Sequence, residues 1–287
     1  MGPEAAKKNG DSMKRSAASL YILFTLTFLL SPGTAHAQFQ PRPLNDPATG
    51  ERYHVEASAG FWFPSADMTI ASESLGIVGS LIDLKKDLGL TDQRFPELHL
   101  VLRPSKTSKF RFQYIPIHYD QGPTILSREI VFNGQKYRIG LPVNSELDWK
   151  AYRIGYEFDF VSADRGYGGF ILDIKYTNVT ATLATPLSTP EFAHAQLPIP
   201  AIGGIFRVYP VPNISITGEV TGFKLPDELI KNTRGHFLDV DFYGTLNFTN
   251  YIGAQVGYRS FDVGYVVSAD TGTFKLQGFY FGVVARY

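Results

Sequence analysis

Two small groups of histidine and acidic residues have a spacing that suits chemistry. Glu97 and His99 are two positions apart, so on a strand both side chains lie on one face, where they would form an acid–base or metal-binding pair. His236 stands three positions before Asp239 and five before Asp241, and an odd separation puts it on the opposite face of a strand from both carboxylates. Glu97 and His99 are therefore the candidate catalytic residues.

Other signatures of enzymes and cofactor sites are absent from the sequence. The motifs G-x-x-x-x-G-K-[ST], H-E-x-x-H and G-x-S-x-G do not occur, and the lack of cysteine excludes disulfides and thiolate metal ligands. The 27 Lys and Arg residues balance 27 Asp and Glu residues, which argues against a nucleic-acid-binding protein. We expect a non-enzymatic protein without a cofactor or a metal.

The N-terminal part has the order of a secretion signal. Basic residues up to Arg15 precede an apolar run over residues 17–30, and Ala35-His36-Ala37 supplies a small-x-small cleavage site. The run is shorter than the roughly 20 residues that a membrane-spanning helix needs, so residues 1–37 are predicted to be a cleaved signal peptide. Residues 38–50 are predicted to be a loose periplasmic arm, and residues 51–287 the folded domain.

Beyond residue 50, apolar residues recur at every second position, as in strands that bury one face. The pattern appears in ten segments: 55–63, 97–103, 110–114, 147–160, 169–185, 202–208, 214–220, 238–248, 252–259 and 279–287. Short turns alternate with long connections, the longest at 64–94 and 121–146. This rhythm predicts an all-β, transmembrane, antiparallel up-and-down β-barrel of ten strands, and a soluble β-sandwich is the alternative.

The strand number has two alternatives, eight and twelve. Asn133-Gly134, inside the connection 121–146, is a turn signal flanked by strand-forming residues. We interpret it as the tip of a hairpin that extends the third and fourth strands. If it belongs to a separate membrane hairpin, the number rises to twelve.

The secretion signal, the alternation of short turns and long loops, and the final strand that ends in Tyr287 resemble Gram-negative outer-membrane β-barrel proteins. The stretch Asp83-Leu84-Lys85-Lys86-Asp87-Leu88-Gly89-Leu90, followed by Leu102-Arg103-Pro104, is similar to a pattern in uncharacterised small outer-membrane barrel proteins. The resemblance implies an outer-membrane location, contact with outer-membrane lipid and lipopolysaccharide, and recognition of the last strand by the barrel-assembly machinery. It assigns the assembly signal to Phe279, Phe281 and Tyr287.

The polar faces of the predicted strands would line the barrel lumen with both signs of charge. The predicted lumen residues are Arg103, Arg111, Arg153, Glu157, Asp159, Asp173, Lys175, Arg207, Glu219, Asp239, Asp241 and Arg259, together with Glu56, Glu97 and Arg286. Because charges in a narrow, water-poor barrel must pair, we expect an interlocked network and little or no conductance.

The long first connection suggests a further element. Leu75, Val78, Leu81, Ile82 and Leu88 would share one face of a short helix that caps the barrel, plugs it or contacts lipopolysaccharide; a disordered loop is the alternative. We expect a structural role in the envelope, or binding of a surface partner or lipid through the long extracellular loops. A narrow passage for small solutes is the first alternative, and a hydrolase at the rim, acting on lipid A or peptide, is the second.

Overall fold

The computed structural model describes residues 47–72, 77, 79–185, 188–225, 233–267 and 270–287. The predicted signal peptide and most of the predicted arm lie outside the described residues. The strands are β1 (Val55–Ala71), β2 (Ile82–Asp83), β3 (Phe95–Leu102), β4 (Ser108–Ile125), β5 (Ile130–Phe132), β6 (Gln135–Tyr137), β7 (Pro142–Ala163), β8 (Gly166–Thr185), β9 (Ser188–Val211), β10 (Ile214–Leu225), β11 (Thr233–Asn247), β12 (Ile252–Val267) and β13 (Asp270–Arg286). In the part of the chain that the structure describes, no helix is long and apolar enough to cross a membrane.

Ten of these strands form a closed antiparallel barrel. Each long strand pairs with its neighbour along the chain, and β1 pairs with β13 from Glu56 opposite Arg286 to Ala71 opposite Thr271. The short β2 adds to β1, while β5 and β6 pair only with each other, as a separate two-stranded sheet. The predicted ten-stranded barrel is therefore confirmed, and the twelve-stranded alternative is wrong.

The half of the barrel that contains the short turns has the polarity expected inside a lipid bilayer. On β7, Tyr152, Ile154 and Phe160 face outward and are exposed, whereas Arg153 and Glu157 face the lumen and are buried. Large exposed apolar residues follow the same pattern on the other long strands, as Phe61, Leu172 and Phe279 show. Lipid covers such a band at no cost, so this half spans the membrane.

The polarity is reversed in the other half of the same strands. Farther out on β7, the inward residues Leu147 and Trp149 are buried and apolar, and the outward residues Asn144, Glu146 and Lys150 are polar and exposed. A polar outer surface around an apolar interior is the pattern of a β-barrel in water. The strands therefore project beyond the outer leaflet.

The described end of the predicted arm is fixed to the barrel by hydrogen bonds to periplasmic turns. Residues 47–53, which we call the strap, cross the periplasmic end. The Ala48 amide donates to the Asp164 carbonyl at 3.1 Å, and the Thr49 amide donates to the Pro212 carbonyl at 2.8 Å. The Gly50 amide donates to Asn250 Oδ1 at 3.1 Å. Arg103 Nη1 donates to the Glu51 carbonyl at 2.6 Å. The strap thus contacts all four periplasmic turns.

A charge placed on the outward face of β7 should be costly only inside the lipid band. Ile154→Lys puts an ammonium in hydrocarbon, and we expect a loss of about 2 kcal/mol or more in the free energy of unfolding. Asn144→Lys, on the same face beyond the membrane, should change it by less than about 0.5 kcal/mol. Urea-dependent refolding into lipid vesicles measures both variants, and equal losses would contradict the assigned membrane boundary.

Candidate functional site

The lumen of the membrane half contains one continuous series in which acidic and basic side chains alternate. Its members come from β3, β4, β7, β8, β10, β11 and β12, and each is an ion-pair neighbour of the next. In order they are Asp159, Lys109, Glu157, Arg111, Glu219, Arg153, Asp173, Lys175, Asp239, Arg259, Glu97 and His99. We call this series the charge chain.

Carboxylates inside the charge chain share cations with their neighbours. Glu219 lies between Arg111, whose Nη2 is 2.6 Å from Glu219 Oε2, and Arg153. Asp239 lies between Lys175 Nζ at 2.6 Å and Arg259 Nη2 at 2.7 Å. All six side chains are buried, so each charge has exchanged water for these partners. Removing one member leaves two neighbours without part of their compensation.

A second charged group lies at the periplasmic end of the lumen. Arg103 and Glu51 pair at 2.9 Å, and Arg207 lies 3.8 Å from Glu51 and 3.9 Å from Glu56. Glu56 in turn pairs with Arg286 at 2.5 Å. The hydroxyl of Tyr209 donates to Glu51 Oε2 at 2.6 Å. The strap therefore brings its own carboxylate into the lumen.

The predicted lumen residues are all accounted for by these two groups, except Asp241. Its Oδ1 accepts a hydrogen bond from the Tyr280 hydroxyl at 2.9 Å, and it has no ion pair within the described residues. Two further members were missing from the prediction. Lys109 lies one residue before the predicted third strand, although its spacing of two from Arg111 places both side chains on the same strand face. Glu51 precedes the first strand, where an alternating pattern gives no signal.

Glu97 and His99 lie on the inward face of β3 and contact each other, as their spacing predicted. Gln113 Nε2 lies 3.1 Å from His99 Nε2, and Arg259 lies 3.8 Å from Glu97. A small cavity beside the pair is lined by Ser58, Gln255 and Tyr280, with room for about one water molecule. No cluster of three potential metal ligands occurs among the described residues.

His236 does not share a site with Asp239 and Asp241. Its side chain faces outward on β11 and approaches Asp262 of β12 at 3.2 Å, while both carboxylates face the lumen and are buried. The odd spacing in the sequence predicted this separation. At the outer end of the described strands, most inward side chains are apolar, among them Met68, Ile117, Trp149, Phe261 and Phe274.

Two extracellular segments close the outer end of the barrel. Residues 79–92 of the first loop and residues 126–141 of the β4–β7 connection form what we call the cap. The cap residues Ile82, Leu84, Leu88, Leu90, Leu126, Ile130, Phe132 and Tyr137 are buried in one cluster with the inward side chains of the outer half. The barrel is therefore filled with apolar side chains in its outer half and with charged side chains in its membrane half.

The predicted helix in the first loop is wrong for the described residues. Ile82 and Asp83 form β2, residues 84–88 form turns, and Leu81 is exposed; Leu75 and Val78 lie outside the described residues. Asp83 Oδ1 accepts from the amides of Lys85 and Lys86 at 3.1 and 3.0 Å, which favours a turn over a continuing helix.

The predicted Asn-Gly turn exists, but its hairpin does not continue the third and fourth barrel strands as predicted. Asn133 and Gly134 have φ angles of 49° and 80°, which suit a tight turn between β5 and β6. Because Ile130 and Phe132 are buried against the barrel, the hairpin does not project as a free tip.

Polar contacts join the two halves of the cap. Ser80 and Val131 exchange two hydrogen bonds, 2.8 Å from the Ser80 amide to the Val131 carbonyl and 2.9 Å from the Val131 amide to Ser80 Oγ. Arg128 Nε donates to Asp87 Oδ1 at 2.8 Å, and Arg128 Nη2 donates to the Leu81 carbonyl at 2.6 Å. The hydrogen bond from Arg128 lowers the pKa of Asp87 below its ordinary value.

The residues of the predicted assembly signal lie at the outer surface of the last strand. Phe279 and Phe281 are exposed in the lipid band, and Tyr287 is the last residue of the chain. The Tyr287 amide donates to the Val55 carbonyl at 2.8 Å, so the final residue pairs with the first strand. Recognition of this segment by an assembly machinery stays a prediction.

Comparison with known proteins shows the fold. No model of a known protein family matches the sequence, and no curated protein matches it. The structure is similar to the outer membrane protease OmpT from Escherichia coli, with 7% identity and a TM-score of 0.53 over 81% of this chain and 96% of that chain. The likeness is looser for the Yersinia pestis protein Ail, with 10% identity and a TM-score of 0.34 over 80% of this chain and 99% of that one. The chain thus has the fold of a Gram-negative outer-membrane β-barrel, and its lipid-facing band matches that location.

Removing one carboxylate from the charge chain should destabilise the barrel strongly. Glu219→Gln deprives Arg111 and Arg153 of a buried anion, and we expect a loss of about 3 kcal/mol in the free energy of unfolding. Glu146→Gln, at an exposed outward position of β7, is the matched control and should change it by less than about 0.5 kcal/mol. Urea-dependent unfolding in detergent compares the two; a stable Glu219→Gln variant would show that the pairs contribute nothing.

The cap should open when its Arg128–Asp87 contact is lost. We expect Arg128→Ala to weaken protection of the Asp87, Gly89 and Leu90 amides against hydrogen exchange about fivefold, because an exposed ion pair contributes up to about 1 kcal/mol. Lys136→Ala, which removes a longer contact to Glu129, is the control.

The same contact gives the protection a pH dependence. The pKa of Asp87 is lower in the folded cap, so the stabilisation is present at neutral pH and disappears as the pH falls through that lowered value. Exchange corrected for its intrinsic rate should therefore show weaker protection at acid pH in the native protein. A protection independent of pH, or unchanged in Arg128→Ala, would contradict this assignment.

Proposed function

We propose that this protein is a closed, non-enzymatic outer-membrane barrel that supports the envelope and binds a surface partner or lipid through its extracellular cap. The observation that carries the proposal is the filling of the lumen at three levels. The strap crosses the periplasmic end, the charge chain occupies the membrane half, and apolar cap residues pack inside the outer half.

Two small cavities in the part of the lumen that the structure describes favour a closed barrel over a passage. The larger cavity lies between the charge chain and the apolar layer and is lined by Trp62, Ile117, Arg153 and Phe261, among others. It has room for about one or two water molecules, too little for a solute. A barrel closed in this way acts through its surface.

The cap has the properties of a binding surface. Its two segments are joined by hydrogen bonds and an ion pair, so the surface is ordered before any partner arrives, which reduces the entropic cost of binding. Leu81, Ile125 and Ile139 expose 60%, 71% and 67% of their surface on or next to the cap, at the end of the barrel that projects from the membrane. Large aliphatic side chains left in water are a common feature of protein contact sites.

A hydrolase at the outer rim has less support in the structure than surface binding. OmpT is a protease, but similarity at 7% identity extends to the fold alone. The inward face of the outer half is mostly apolar among the described residues, and the candidate pair Glu97 and His99 lies inside the charge chain. That environment suits a pair with a structural role in the lumen.

Planar-bilayer recordings test the closed lumen. Purified native protein should give no stable conductance steps, because both ends and the middle of the lumen are occupied. A variant in which residues 80–91 are replaced by a short Gly-Ser linker should stay closed, since the charge chain and the strap remain. Large, stable pores in the native protein would favour the passage for small solutes and refute the proposal.

Cells that carry the Ile125→Glu and Ile139→Glu double variant test the role of the cap. We expect weaker surface binding and a more permeable envelope than in cells with native protein, although the barrel assembles equally well. His99→Ala serves as the comparison and should leave lipid A composition unchanged. Loss of a lipid A modification in that variant, with the barrel assembled, would replace the proposal by an enzymatic function.

A further inference from the structure

The barrel wall is interrupted between β9 and β10 in its outer half. From the periplasmic turn upward, the two strands pair as far as Ile202 opposite Gly222. Beyond that pair, β9 continues along β8 and β10 continues along β11 as far as Leu225, but the described residues of β9 and β10 no longer pair with each other. We call this break, between residues 198–201 and residues 223–225, the wall gap.

Two prolines of β9 explain where the pairing stops. The Tyr209 amide donates to the Arg165 carbonyl, just before β8, at 3.0 Å, so odd-numbered amides of β9 face β8 and even-numbered positions face β10. Pro198 and Pro200 are even-numbered, and the register of β9 on β8 runs through both without a shift. Because proline has no amide hydrogen, β10 finds no donor at either position. The wall gap is therefore a property of the sequence.

The wall gap begins beside lipid-facing side chains. At its lower end, the outward residues of three adjacent strands are apolar and exposed: Ile174 of β8, Ile202 of β9 and Val220 of β10. Lys224, at the upper end, is exposed and polar. Unpaired backbone next to hydrocarbon is costly unless it lines a binding space. An interruption at this place therefore indicates a function.

Apolar side chains lie directly behind the wall gap. Ile199 of β9 and Phe237 of β11 belong to the buried cluster of the outer half. Phe223 of β10 packs against that cluster but stays partly exposed, although its side chain faces inward. Thr221, the next inward residue below, accepts a hydrogen bond from Lys175 Nζ at 2.8 Å, so the polar lumen begins just beneath. The gap thus joins the outer leaflet to a shallow apolar space.

We propose that the wall gap is a lateral binding site for a small, uncharged, apolar molecule dissolved in the outer leaflet. Such a molecule meets ring carbons instead of amide donors at Pro198 and Pro200, and it packs against the aromatic rings of Phe223 and Phe237. The strap, the charge chain and the cap obstruct the route along the barrel axis, so the approach is through the wall. The inference goes beyond the proposed function, because neither the cap surface nor conduction takes part.

A compact molecule suits this space better than the acyl chain of a lipid. The space is closed below by the ion pair of Lys175 with Asp239, and above by cap residues that share a cluster with Ile199. A chain attached to a headgroup has to bend inward beneath the cap, whereas a short molecule enters whole. The acyl chain is therefore the alternative occupant that the experiment has to distinguish.

Tryptophan fluorescence of the full chain in phosphatidylcholine vesicles tests the proposal, with bromobenzene as the apolar probe, because bromine quenches tryptophan on contact. The two native tryptophans, Trp62 and Trp149, are buried and serve as the background. Phe223→Trp adds a reporter at the wall gap, and Val220→Trp adds one on the lipid-facing side of the same strand. We expect quenching that saturates in Phe223→Trp, quenching that rises in proportion to the probe in Val220→Trp, and little change in native protein.

Closing the wall gap should abolish the saturable quenching. Pro198→Val together with Pro200→Val, made in the Phe223→Trp chain, restores two donors and lets β10 pair farther along β9. Pro210→Val, on the same strand and face near the periplasm, is the matched control and should leave the quenching unchanged. As a second closure, Pro200→Cys with Lys224→Cys places a disulfide where the register would continue, in a chain without other cysteines. Oxidation should remove the saturable quenching, and reduction should restore it.

Three results would overturn this inference. Phe223→Trp without saturable quenching would mean that no site exists, and saturable quenching that survives both closures would place the site elsewhere. Quenching of Phe223→Trp by phosphatidylcholine with brominated acyl chains, as strong as that of Val220→Trp, would mean that lipid fills the gap. Heat-dependent gel mobility confirms that each variant is folded. Bilayer conductance and cap-dependent surface binding are measured separately, so failure here leaves the proposed function untouched.

Discussion

The pairing of β1 with β13 is the constraint on which the rest of the structure depends. In hydrocarbon, every backbone amide and carbonyl needs a partner within the protein, and a sheet meets this demand only when its first and last strands join. Closure at ten strands fixes a narrow interior. Such an interior has to be filled by side chains that satisfy one another, which is why the charge chain alternates in sign from β3 to β12.

The membrane boundary divides each long strand into two parts in which the polar and apolar faces are exchanged. Inside the bilayer the outer face must be apolar, so polar residues are left for the lumen, and Arg153 and Glu157 of β7 take that place. Outside the bilayer water covers the outer face, so apolar residues such as Trp149 fill the interior. Side chains alternate between inward and outward along the whole strand, and only the medium outside the barrel changes from lipid to water. The cap extends this apolar interior upward.

The fold was largely predictable because closure and alternation are local properties of the sequence. Ten alternating segments, short turns on one side and the inward position of residues such as Arg111 follow from a period of two. Partners were not predictable: Arg111 meets Glu219, 108 positions away on a strand that is not its neighbour. Leu88 was predicted wrongly for the same reason: its apolar character suggested the face of a helix, whereas it is buried in a cluster that includes residues of the distant β5–β6 hairpin.

The strap has a consequence for the order of folding. Its hydrogen bonds join residues close to position 50 with Asp164, Pro212 and Asn250, the last of these 200 positions from Gly50. None of these acceptors is in place until the corresponding hairpin exists, and contacts over such separations carry a large loop-closure cost. Docking of the strap is therefore a late event that reports completion of the whole barrel. The N-terminal segment leaves the ribosome first and reaches its native position among the last.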